Sequence, residues 1–167
     1  MAISHLQPCV VEKDNEVLYM DYSTKENLEL VDRLHKESNG DTLWSFLDAC
    51  KCCMGSRLLK KWVEKPLVQK EEILKRQGQV EFLMDHFMER ETLRTSLSNV
   101  YDLQRLIARI AMNSANAIDL LRLSKTLKEV PTILDTVASD EFDAYMHVDQ
   151  LKDLNALLDG ADRKSVV

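Results

Sequence analysis

The chain has 167 residues, 45% of them hydrophobic and 30% charged, with a net charge of −6. That length favours a single domain, able to bury about 68–70% of its unfolded surface, and the apolar content sets it against disorder. The acidic balance argues against a free-standing nucleic-acid binder, because phosphate contacts on such proteins call for a basic excess.

Residues 1–20 hold Pro8, Glu12, Lys13, Asp14 and Glu16 and no apolar signal core. No run approaches the ~18 apolar residues of a membrane span. The expected location is cytoplasmic, with no membrane partner. Cys9, Cys50, Cys52 and Cys53 make a poor disulfide framework, since three fall within four positions. They read as reduced thiols.

Four glycines and three prolines are few breakers for this length, and Leu, Lys and Glu are abundant. The expected fold is all-α, an irregular multi-helix bundle with a short extended segment or hairpin near the N-terminus. Residues 1–8 read as the tail of a preceding connector, with 9–167 as the helical domain. Val10, Val11, Val17, Leu18 and Tyr19 flank a polar turn at Lys13–Asn15, an extended or hairpin pattern. Ser23 with Glu26 fits a capping box, and Leu28, Leu30, Val31 and Leu34 predict a helix that Asn39-Gly40 ends. Asp41 or Thr42 caps a helix with Leu43, Trp44, Phe46 and Leu47. A further helix runs from about Met54 to Glu64, stopped by Lys65-Pro66.

Residues 69–88 show the longest periodic run, with Ile73, Val80, Leu83, Met84 and Phe87 on one side. Helices follow over 88–97, after Tyr101-Asp102, and after Asn116. Another is expected to start at Pro131. The last spans Phe142–Leu158, with Gly160 closing it.

The chemistry-bearing residues favour structure over catalysis. Cys50-Lys51-Cys52-Cys53 lacks the second ligand pair that tetrahedral zinc needs, so no metal is expected. His5, His35, His86 and His147 sit in no nucleophile arrangement. Neither a GxxxxGK[ST] loop nor GxGxxG is present, and the lone Gly55 of Gly55-Ser56-Arg57 cannot build a nest of amides, so no cofactor is expected in this chain. Arg105 and Arg109 lie one turn apart, with Asp102 placed to pair with Arg105. Their expected role is a network tying this helix to a neighbour, in preference to a phosphate contact. Trp44 and Trp62 are expected in the core.

The order of motifs then becomes informative. Met20-Asp21-Tyr22-Ser23-Thr24-Lys25-Glu26-Asn27-Leu28-Glu29-Leu30 resembles the entry to the central domain of the MutS family of DNA mismatch-repair proteins. Leu47-Asp48, Met54-Gly55, Arg57-Leu58-Leu59, Trp62 and Pro66-Leu67 resemble that family's L-D-x-T-x-T-x-M-G-x-R-L-L-x-x-W-x-x-x-P-L. Ile73, Arg76, Val80 and Leu83 are similar to its next motif. Val100-Tyr101-Asp102-Leu103-Gln104-Arg105-Leu106 with Arg109 resembles the one after that. The four motifs cover about residues 17–134 in the family's order. Cysteines stand at 50 and 52 where the family pattern has threonines. If those hydroxyls cap the Met54 helix, the cap here is weaker.

The resemblance implies the first portion of the central core and lever domain, a non-catalytic scaffold coupling mismatch and clamp contacts on DNA to an ATPase. Mismatch-reading, clamp and Walker motifs are absent from these residues, so ATP and Mg would belong to the parent's missing ATPase domain. The parent is implied to bind mismatched duplex DNA and to dimerise. The fragment itself would pack against the parent's other domains and bind DNA weakly or not at all. Asp21, Asn27, Asp48, Met54, Gly55, Arg57, Trp62, Pro66, Arg76, Asp102, Arg105 and Arg109 would be its structural motif residues. The alternative is a self-contained helical protein-interaction module.

Overall fold

A computed structural model describes residues 16–34 and 40–164. The described residues form nine α-helices and one 3-10 turn, with no sheet: α1 Tyr22–Asn27, α2 Leu43–Leu47, α3 Cys53–Glu64, α4 Lys70–Asp85, α5 Phe87–Ser98, α6 Leu103–Ala111, α7 Ala117–Thr136, the turn Asp140–Phe142, α8 Asp143–Met146 and α9 Lys152–Lys164. The all-α expectation holds. The expected connector tail at residues 1–8, the Lys13–Asn15 turn and Asn39 lie outside the described residues.

The extended entry is seen as one antiparallel bridge between Val17 and Leu67. Leu18 N–H donates to the Pro66 carbonyl at 2.7 Å, and Val68 N–H to the Glu16 carbonyl at 3.2 Å. Proline has no amide to give, but its carbonyl is free to accept.

The first helix is shorter than its apolar stripe predicts. Its cap is Asp21, whose carboxylate accepts from Thr24 N–H at 2.6 Å, and not Ser23. The helix stops at Asn27, and Glu29 adopts the left-handed region at φ 47°. Backbone donors downstream turn to this loop: Leu43 N–H reaches the Glu29 carbonyl and Trp44 N–H the Leu30 carbonyl, at 3.2 and 2.8 Å. The Glu29 side chain accepts from Leu34 N–H at 2.9 Å. Leu30 and Val31 are buried by this turn, while Leu28 and Leu34 stay exposed. Tertiary hydrogen bonding thus overrides the helical period.

Thr42 caps α2 in a reciprocal box with Ser45. Helix α4 ends at Asp85, earlier than its period suggests. His86 stacks on Phe82 at 4.1 Å, and Arg90 donates to the Leu83 carbonyl at 3.1 Å, satisfying groups that a helix end leaves open. Asn116 and Asp119 form the second reciprocal box, at the start of α7.

Two expectations about the C-terminal part need correction. Pro131 starts no new helix. It sits inside the single 20-residue α7, between the buried Leu127 and Leu134, whose packing outweighs one missing hydrogen bond. The predicted Phe142–Leu158 helix is broken. Phe142 is drawn edge-on to Phe82 at 5.8 Å, and Gln79 donates to the Glu141 carbonyl at 2.9 Å, so this turn packs on α4. The chain then reverses through Leu151 at φ 49°, whose N–H goes to Asp149, before α9 starts. Gly160 lies within α9 and does not close it.

The core is built around α7. Leu106, Leu123 and Leu127 form a buried cluster, with Leu103, Ile110 and Leu158 packed against it. Helices α5, α6 and α9 all pack on α7.

Candidate functional site

Helix α3 begins in a tight turn, Asp48–Cys52. The Asp48 carboxylate accepts the Ser56 hydroxyl and, at 3.1 Å, the Cys50 N–H. The Ser56 hydrogen bond holds the Asp48 carboxyl below the usual carboxylate range, against a smaller opposing effect of desolvation. Cys52 is the cap itself: its Sγ accepts from Gly55 N–H at 3.4 Å. Sulfur is a weak acceptor, so this cap is softer than a hydroxyl one.

Gly55 serves that turn and no helix neighbour. A side chain there would begin 3.5 Å from Cys52 Sγ and 3.6 Å from both Cβ and Sγ of Cys50. Partial desolvation of its sulfur, helped by Asp48, pushes the Cys50 thiol up to about 11, although the residue as a whole is exposed. Met54, next along, is half-buried.

Arg57, one turn into α3, makes the longest-range polar contact of the motif residues. Its two terminal nitrogens donate to Asp102 Oδ2 and Oδ1 at 2.7 and 2.8 Å, and one reaches Gln104 Oε1 at 2.8 Å. A forked guanidinium matches a carboxylate in this way, and lysine cannot. Asp102 also caps α6, accepting Arg105 N–H at 3.3 Å. Its carboxyl is held below the usual range, chiefly by Arg57. One carboxylate therefore fixes both the start of α6 and its place beside α3. Arg105 lies 3.4 Å from Asp102, but its side chain is 77% exposed, so it adds little.

The second tie lies at the other end of α6. Arg109 donates to Asp119 Oδ1 at 2.7 Å, and Arg122 stands 3.8 Å from the same atom. The Asp119 side chain is 6% exposed. Its other oxygen accepts Asn116 N–H at 3.3 Å as half of the α7 capping box. Between the ties, Tyr101 N–H donates to the buried Thr126 hydroxyl at 3.0 Å.

The remaining motif residues stand apart. Asp21 and Asn27 bound α1. Pro66 receives the Leu18 amide. Arg76 sits over the Trp62 ring, its guanidinium carbon 3.7 Å from the ring centroid, a cation–π pair that bridges α3 and α4. Trp62 is 41% exposed, which corrects its expected core position. Half-buried Trp44 has Lys60 over its ring at 5.5 Å. Trp62, Arg76, Pro66, Leu67, Val80 and Met84 belong to the wall of an open, mainly apolar groove of about 680 Å³.

Ser56, Gln104, Asp119 and Arg122 escaped the sequence reading. Asp119 carried a signal, since it stands three residues after the Asn116 cap. The others are fixed by contacts that spacing does not reveal. Among the described residues, no three His, Cys, Asp or Glu side chains converge as a metal site would require. No helix of the described residues is long and apolar enough to cross a membrane.

The class these features define is a helical body held by arginine–carboxylate ties, with its polar motif residues spent on caps and joints. The MutS domain III family model matches residues 23–164, and the chain belongs to that family. It is 46% identical over 139 residues to the DNA mismatch repair protein MutS of Bacillus subtilis, covering 83% of this chain and 16% of the relative. With the MutS protein of Halalkalibacterium halodurans it shares 44% over 137 residues, 81% of this chain and 16% of the relative. With that of Streptococcus mutans it shares 39% over 163 residues, 95% and 19%. The chain thus spans less than a fifth of the length of these relatives.

Proposed function

We propose that the chain is a non-catalytic scaffold from a larger, cytoplasmic, dimeric mismatch-repair protein. Its helices join a part that holds mismatched duplex DNA to a part that binds and hydrolyses ATP with Mg. ATP and Mg belong to that other part. The helix start at Gly55 does not suit a phosphate, because its amide already donates to Cys52 Sγ.

The observation that carries this reading is the pair of ties spanning α6. Arg57–Asp102 and Arg109–Asp119 join α3, α6 and α7 into one stiff body. Packed cores and forked ion pairs resist continuous deformation, so a shift imposed at one end is felt at the other. The Trp62–Arg76 stack extends the body to α4.

The test is Arg57→Ala in the full-length parent protein. Basal ATP turnover should persist, while its response to a mismatched duplex should fall severalfold. An unchanged response would remove Arg57 from the coupling. The 167-residue chain alone should neither turn over ATP nor select a mismatched duplex in a mobility-shift titration at physiological salt. Either activity would overturn the scaffold reading.

A further inference from the structure

The function proposed above makes no use of the thiols. Cys50 and Cys52 both direct sulfur at the same spot over Gly55, within 3.6 and 3.5 Å of where a side chain would begin. A methyl group there would touch both in ordinary van der Waals contact. One of the two sulfurs is also the cap of α3. Cys50 is exposed and Cys52 half-exposed, so a small oxidant can reach both.

We propose that Cys50 and Cys52 are a dithiol modification site for peroxides, and that closing its disulfide uncaps α3. The reaction needs one peroxide. Cys52 sulfur attacks a peroxide oxygen, the O–O bond breaks, and the departing oxygen leaves as water, giving Cys52 sulfenic acid. Cys50 sulfur then attacks the sulfenic sulfur. The S–O bond breaks, and the hydroxyl leaves with the Cys50 proton as a second water. Two thiols are oxidised and one peroxide is reduced to two waters. The Cys50 thiol is held largely protonated near neutral pH, so it must lose its proton as it attacks, and the second step is the slower of the two.

The disulfide sulfur of Cys52 is bound to a new neighbour and a poorer partner for Gly55 N–H. The first turn of α3, which carries Ser56 and leads to Arg57, then loses its side-chain cap. Among the described cysteines, Cys53 is the competing partner. It is exposed and occupies the first position of the helix itself.

The experiment treats the 167-residue chain with hydrogen peroxide in a Cys9→Ser background. Blocked thiols are then mapped by mass spectrometry after cleavage at Lys51, which separates Cys50 from Cys52. The expected product has lost two hydrogens and joins the fragments on either side of Lys51. The link should survive Cys53→Ser and vanish in Cys50→Ser and Cys52→Ser. Amide exchange at Gly55 should quicken about fivefold on oxidation, as for a lost cap, and stay unchanged at Leu106. A link that persists in Cys52→Ser, a product of sulfinic acids or intermolecular dimers alone, or an unchanged Gly55 rate would each overturn the proposal.

Discussion

Helices α2, α3 and α4 contain no buried residue, whereas α7 alone buries Asp119, Leu123, Ser124, Thr126, Leu127 and Leu134. The earlier part of the chain is held by polar joints at its surface: the Val17–Leu67 bridge, the Asp48–Ser56 bond, the Arg57–Asp102 fork and the Arg76–Trp62 stack. The later part is held by apolar burial around one long helix. Burial is worth kilocalories per side chain, while exposed polar pairs are worth a fraction of one. The second region therefore sets the stability of the body, and the first sets how its leading helices are aimed.

Leu106→Ala should break this balance most. The side chain is 2% exposed, and truncation should cost about 3–4 kcal/mol in urea unfolding. Trp62→Ala, on the exposed groove, should cost much less. Equal losses would erase the distinction between the two regions. Asp119→Ala should follow, at about 2–3 kcal/mol, because it removes a cap and leaves Arg109 without its carboxylate. Arg57→Lys keeps the charge but loses the fork, and should lower the urea midpoint less than Asp119→Ala does.

Acid should sharpen the contrast without a large change at neutral pH. The Asp102 carboxyl titrates lower in the folded chain than in the unfolded one, because Arg57 hydrogen-bonds its charged form. Its contribution is present above the unfolded value of about 3.9 and is lost as pH falls through the folded one. Urea midpoints measured downward from about pH 5 should decline less steeply in Asp102→Asn than in the parent chain. The smallest effect has the opposite sign. Cys52→Ser restores a hydroxyl to the α3 cap and should stabilise by about 0.5 kcal/mol.

Helix starts were the most legible part of the sequence. Thr42, Asp102 and Asn116 cap where their residue types and the following apolar stripes indicate, because a cap bonds an amide three positions on. The ends of α1 and the break before α9 were not legible. Both depend on non-glycine residues in the left-handed region, Glu29 and Leu151, a conformation that side-chain spacing does not announce. The candidate site divides the same way. Arg57, Asp102 and Arg109 stood out as motif residues, but their pairing across 45 and 10 positions is a product of the fold. Trp62 was misplaced because amphipathic spacing shows a face and not what covers it.

The caps at Asp21, Thr42, Cys52, Asp102 and Asn116 each close on an amide only three residues ahead. Such contacts can form within an unfolded chain before any distant segments meet. Folding of this body should then be limited by the long-range packing of α5, α6 and α9 on α7, with the helix boundaries marked out beforehand. A chain of this kind can emerge from synthesis with its helices already delimited, waiting on its joints.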